Sequence, residues 1–101
     1  MVLQISGKHI DIGEALRTRA ESRIRDAVDK YFNGGFDGQV ILEREGSGYR
    51  SECTIHLDSG VVLHAEGVAQ DAPASFDLAA ERIEKRLRRY KRRRTDVRHD
   101  T

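Results

Sequence analysis

Between Tyr49 and Ala69 the chain twice places an apolar or small residue at every second position, and this alternation limits the fold more than any other feature. In the first run Tyr49, Ser51, Cys53, Ile55 and Leu57 point one way, while Arg50, Glu52, Thr54, His56 and Asp58 point the other. After a turn at Asp58, Ser59 and Gly60, the second run puts Val61, Leu63, Ala65, Gly67 and Ala69 on the matching side. Keeping the two faces in register pairs Leu57 with Val61 and leaves a three-residue loop. The product is a hairpin with one dry face and one wet face. A dry sheet face must be covered, so helical segments have to be found elsewhere in the chain.

Two segments have the required period. From Glu14 to Phe32, Leu16, Ala20, Ile24, Ala27 and Tyr31 recur at steps of three and four. Asp11 or Gly13 is expected to cap this helix, Glu14 suits the positive end of its dipole, and Asn33, Gly34 and Gly35 are expected to form a left-handed stop. From Asp71 to Arg94, Phe76, Ala79, Ala80, Ile83, Leu87 and Tyr90 form one continuous stripe. Asp71 is the expected cap here, and Pro73 sits in the first turn, where its missing N–H costs nothing. Val2 to Ser6, bounded by Gly7, reads as an opening strand, and Val40 to Glu45 as another, turned by Gly46, Ser47 and Gly48 into the alternating hairpin.

The predicted order is β-α-β-β-β-α, an α+β fold with a four-stranded sheet and two helices packed on one face. At 101 residues there is room for one domain, expected over residues 1–94, with 95–101 a polar tail or the start of a linker to a further domain. The N-terminus has no signal-like pattern and no window approaches about 18 apolar residues, which predicts a soluble, cytoplasmic protein with no membrane partner. The single cysteine, Cys53, has neither a disulfide partner nor a second sulfur for zinc, which suits a reducing compartment.

Charge is sorted along this chain. Arg82 to Arg94 holds nine Lys or Arg against one acid, Glu84, whereas the whole chain balances 18 basic against 17 acidic residues at +1. Everything outside that segment therefore carries a net −7. On the last helix Arg82, Lys85, Arg86, Arg89, Arg92 and Arg93 fall on one flank of the apolar stripe, and Asp77 and Glu84 on the other. Arg19, Arg23 and Lys30 line an edge of the first helix, so the two sets are expected to border a common groove if the helices lie side by side.

Like charges at helical spacing repel by a few tenths of a kcal/mol per pair, and a helix C-terminus only mildly favours cations. Seven of the nine cations are Arg, whose planar fork suits bidentate phosphate contacts, which favours a polyanion as the partner. The one aromatic of the basic stretch, Tyr90, belongs to the core stripe, so stacking on single-stranded bases has little support. Folded RNA read through phosphate and shape fits better. A membrane surface fits worse, because the apolar face of the helix is needed by its own sheet.

A catalytic reading has little to build on. His56 and His64 share the wet face as diagonal neighbours with no third ligand fixed by spacing, while His9 lies in a loop and His99 in the tail. Cys53 points inward with no base beside it, and Glu43, Glu45, Glu52 and Glu66 form an acidic outer face that suits solubility. Gly34, Gly35, Gly46 and Gly48 do not lead directly into helices, as a phosphate-cradling loop would. The expectation is a protein that is not an enzyme, with no cofactor, no metal and no small-molecule substrate.

Several local stretches resemble one family in order and spacing. IDIGEALRTRAESRI, with Leu16 and Arg17, is similar to the family's entry into the first helix, with Gly13 where a Thr cap is usual. CTIHL, Cys53 to Leu57, is similar to its third strand. AQDAPASFD resembles the entry into the last helix, with Asp71 and Asp77 at its two acids and Pro73 in place of the usual tyrosine, and RIEKRLRRYKRRR resembles its basic end. Over Val2 to Arg94 the chain resembles the ribosome hibernation promoting factors, or ribosome-associated translation inhibitors.

The resemblance implies a fold like that of double-stranded RNA-binding domains and a seat in the small-subunit channel, in competition with mRNA and tRNA. It implies rRNA contacts through both helices, translation blocked under stress or in stationary phase, and in long members a further domain that pairs two ribosomes. The positions that match are Arg82, Lys85, Arg86, Arg89, Lys91 and Arg92, with Arg23 on the first helix. Together with the charge sorting, the candidate RNA-binding set is Arg19, Arg23, Lys30, Arg82, Lys85, Arg86, Arg89, Lys91, Arg92 and Arg93. The alternatives are a general duplex-RNA-binding module and a salt-sensitive protein-interaction domain.

Overall fold

The computed structural model describes residues 2–100, with side chains described for 2–93; the segment 95–101, expected as a polar tail, lies outside the residues whose side chains are described. The elements run β1 (Leu3–Lys8), α1 (Glu14–Tyr31), β2 (Phe36–Glu45), β3 (Gly48–Leu57), β4 (Val62–Ala69) and α2 (Ala72–Asp100). The order is β-α-β-β-β-α, as the periodicity predicts. The strands form one sheet in the order β1-β2-β3-β4, parallel between β1 and β2 and antiparallel elsewhere.

The hairpin faces fall as expected. Ser51, Cys53, Ile55, Leu57, Ala65 and Gly67 are buried, and the opposite faces of β3 and β4 are partly or fully exposed. Leu57 N–H donates to Val61 O at 2.9 Å, which closes the three-residue loop. Both helices cover the dry face: Ile24, Ala27 and Val28 of α1 and Phe76, Ile83 and Leu87 of α2 meet Val40, Leu42, Cys53 and Ile55 in one core. Burial pushes the Cys53 thiol up to about 12, so it remains an unreactive thiol within that core.

Two contacts seat α2 on the sheet. Ser51 and Ser75, both fully buried, are hydrogen-bonded at 2.7 Å, and Ser75 Oγ donates onward to Ala72 O at 2.8 Å. At Gly67 a Cβ would lie 2.7 Å from both Ala79 N and Ser75 O, so the α2 backbone rests directly on β4. Asp71 caps α2 as expected, its Oδ1 accepting the Ala74 N–H at 2.8 Å.

Two local expectations need correction, and the choice between Asp11 and Gly13 as the cap of α1 is settled. β2 begins at Phe36 rather than Val40, because parallel pairing with β1 (Leu3 opposite Gly38) draws residues 36–39 into the sheet. Helix α1 does not end on a left-handed glycine: Phe32 is extended (φ −137°, ψ 127°), and its N–H still reaches Val28 O. Gly35 is instead the site of a close approach, its N–H donating to Asp58 Oδ2 at 2.8 Å where a Cβ would meet that oxygen at 2.6 Å. At the other end Gly13 is the cap residue, with no side-chain capping bond from Asp11 or any other residue.

Candidate nucleic-acid interface

The apolar stripe of α2 fixes where its charged flanks point. Phe76, Ala79, Ala80, Ile83 and Leu87 are fully buried and Tyr90 is half-buried, so the helix cannot rotate without exposing its core face. Tyr90 is pinned further by its hydroxyl, 2.7 Å from Ser59 Oγ, and by the Phe32 ring, 6.1 Å away between centroids.

One flank faces the open edge of β4. Arg82 Nη1 donates to Glu66 O at 2.9 Å, and beside it Lys85, Arg86 and Arg89 border a groove of about 440 Å3 whose other wall is His64 to Glu66. The groove continues past Arg86, Arg89 and Arg93 along Val61 to Leu63 for about another 330 Å3. All these cations are exposed, as is Arg92. Among the described residues, Lys85, Arg86, Arg89, Arg92 and Arg93 have no carboxylate partner.

The other flank faces α1, and there the structure departs from the expected common groove. Arg19 pairs with Asp77 at 2.5 Å, Arg23 with Glu84 at 2.7 Å, and Lys30 approaches Glu84 at 3.7 Å. The Tyr31 hydroxyl adds a bond to Glu84 at 3.3 Å. The reason is the sorting itself: the two acids of α2 lie on its α1-facing side, so the α1 cations find carboxylates across the helix seam while the Arg ridge points away. Lys91, seven residues after Glu84, falls on that same side of α2. The ten candidate residues therefore form two patches, a ridge at the β4 edge and a paired seam between the helices.

Glu84 is the hub of that seam. Burial acts to raise its pKa, but the Arg23 hydrogen bond and the Arg23 and Lys30 charges outweigh it and hold the carboxyl below the usual range. A depressed folded pKa stabilises the protein above the unfolded value, about 4.3, and that contribution is lost as pH falls through the folded value. The stability gap between the wild type and Glu84→Gln is thus expected to be widest near neutrality and to close on acidification from about pH 5 to about pH 3. Chemical denaturation at a series of pH values measures it; a gap that stays constant would remove Glu84 from the acid response.

The acidic outer face of the sheet carries its own counter-charge. Arg50 reaches Glu43 at 3.4 Å, Glu52 at 2.8 Å and Glu66 at 2.5 Å, and Lys8 lies 3.8 Å from Glu43. The hydrogen bond from Arg50 holds the Glu66 carboxyl below its ordinary range. His64 Nδ1 lies 3.0 Å from Thr54 Oγ1, and His56 stands across from Val62 as the register predicts. Among the described residues no group of three His, Cys, Asp or Glu is placed to hold a metal ion, and no helix is long and apolar enough to cross a membrane.

Reading the sequence one element at a time missed the β4 half of the groove. Alternation places Glu66 on the acidic outer face and leaves His64 without a third ligand; in the structure both also line the basic groove. The available signal was that β4 is the last strand before α2 and hence the natural neighbour of its exposed flank.

Residues 3–95 match the protein family described as Sigma 54 modulation protein / S30EA ribosomal protein. The chain is similar to a ribosome hibernation promotion factor of Rhizobium meliloti, at 51% identity over 96 residues, covering 95% of this chain and 50% of that protein. It is similar to another so named from Bradyrhizobium diazoefficiens, at 49% identity, covering 95% and 47%. The chain thus spans about half the length of these curated relatives. Among solved structures, the N-terminal domain of Thermus thermophilus Protein Y superposes with a TM-score of 0.77 at 26% identity, covering 86% of this chain and 94% of that one.

Proposed function

Because this chain belongs to the Sigma 54 modulation protein / S30EA ribosomal protein family, we propose that it is a ribosome hibernation factor whose residues 1–94 bind rRNA of the small subunit. It occupies the channel used by mRNA and tRNA and keeps ribosomes inactive under stress or in stationary phase, in the cytoplasm. The observation that carries this reading is the ridge of Lys85, Arg86, Arg89, Arg92 and Arg93, exposed and without carboxylate partners among the described residues, on a helix locked to its sheet. A preformed array of unpaired cations gains most from meeting packed phosphates, since each contact releases counterions without first breaking a protein ion pair. No bond is made or broken, so inhibition is by occupancy.

The two patches are unequal on this reading. The β4-side ridge is the primary contact. Arg19, Arg23 and Lys30 contribute after phosphate replaces the carboxylates they now hold, which lowers their net gain. The test is co-sedimentation with purified small subunits, with and without mRNA and tRNA. Binding is expected to fall when mRNA and tRNA fill the channel, and to weaken roughly a thousandfold between about 50 and 200 mM salt if about six phosphates are neutralised. A flat salt response, or equal binding to random duplex RNA, would contradict the assignment.

A further inference from the structure

The edge of β4 beside the Arg ridge is a ready template for one more strand. In an antiparallel ladder, residues alternate between pairing inward and facing out. Since Leu57 N–H bonds Val61 O, the odd residues of β4 pair with β3, and Val62, His64, Glu66 and Val68 direct their N–H and C=O groups away from the sheet. The Arg82 bond to Glu66 O confirms that direction. Arg82 bonds to this ladder at Glu66 O, and among the described residues no further strand pairs with it.

We propose that this groove binds an extended segment of a partner protein as a fifth strand, with acidic side chains at every second position facing α2. Two independent features define the occupant. The outward backbone groups require an extended chain with free amides, the mode known as β-augmentation. The wall of Arg82, Lys85, Arg86, Arg89 and Arg93 selects carboxylates on the side chains that the added strand points towards the helix. The alternate side chains lie on the outer face beside Val62 and Val68, which are 54% and 50% exposed, and apolar residues suit those ends. Arg82 exchanges its bond to Glu66 O for a guest carboxylate as the strand enters.

Such a guest covers the same cations as RNA, so the two exclude each other, and an acidic strand acts as a release or storage partner. The inference does not rest on the ribosomal reading: it is argued from an unpaired strand edge, which rRNA binding through the cations does not require, and either one stands if the other fails.

The probe is an eight-residue peptide alternating Glu and Val, compared with the same peptide N-methylated at the alternate backbone nitrogens that face β4. Charge and side chains are identical, so only the ladder differs. Fluorescence anisotropy is expected to show the methylated peptide binding at least about tenfold more weakly. Amide exchange is expected to slow at Val62, His64, Glu66 and Val68 when the unmodified peptide is bound. Equal affinity of the two peptides, no protection at those four amides, or no binding by either peptide would overturn the proposal.

Discussion

Replacing Lys85, Arg86 and Arg89 together with Gln is expected to weaken binding to the small subunit by roughly a hundredfold to a thousandfold at about 0.1 M salt, and to lower the slope of log K against log salt by about 2.7. All three side chains are exposed and none holds a carboxylate among the described residues, so the melting temperature is expected to stay within a few degrees of the wild type. The pairing at the helix seam gives this experiment its contrast. Arg19→Gln with Arg23→Gln removes two cations as well, but these are already matched by Asp77 and Glu84. That variant is expected to lose stability and only a small part of the salt slope. Co-sedimentation across a salt series, with thermal melts of each variant, separates the two. A ridge variant that binds normally would move the interface off α2 altogether. A seam variant that loses as much as the ridge variant would show that both helices contribute equally.

The contrast also marks what could be read before the structure was known. Alternation along β3 and β4 and the Phe76 to Tyr90 stripe are properties of single elements, and a period of 2 or 3.6 reports them directly. The orientation of the Arg ridge followed from the stripe, because burying Ile83 and Leu87 leaves only one way for Arg86 and Arg89 to point. Pairings between elements were less legible. Which cations meet Glu84 depends on how α1 docks against α2, and no spacing within either helix states that. The start of β2 depends on β1 arriving beside Gly38, a parallel contact between segments some 35 residues apart. The end of α1 looked like a glycine stop because Gly34 and Gly35 follow it. Gly35 is there to let Asp58 approach, a constraint that lies 23 residues further along the chain.

Gly67→Ala is expected to damage both the stability of this protein and its binding surface by adding a single methyl group. The new Cβ would lie 2.7 Å from Ala79 N and Ser75 O and 2.8 Å from Leu78 Cβ. Two of those atoms are helix backbone, which cannot rotate away as a flexible side chain would, so α2 must lift from β4. Overpacking costs typically 1–3 kcal/mol, and with backbone on the receiving side the upper end, about 3 kcal/mol, is expected. For a domain of this size that corresponds to a fall of roughly 12 to 24 °C in melting temperature. The functional effect is separable. Below the transition, where the variant is still folded, a lifted α2 carries Arg82, Arg86 and Arg89 away from the β4 edge and strains the Ser51 to Ser75 bond beneath them. Affinity for the small subunit is then expected to fall although no charge has changed. A variant that melts early but binds normally when folded would mean that the cations act as a loose cloud. A parallel loss of both ties recognition to the geometry in which the sheet holds the helix.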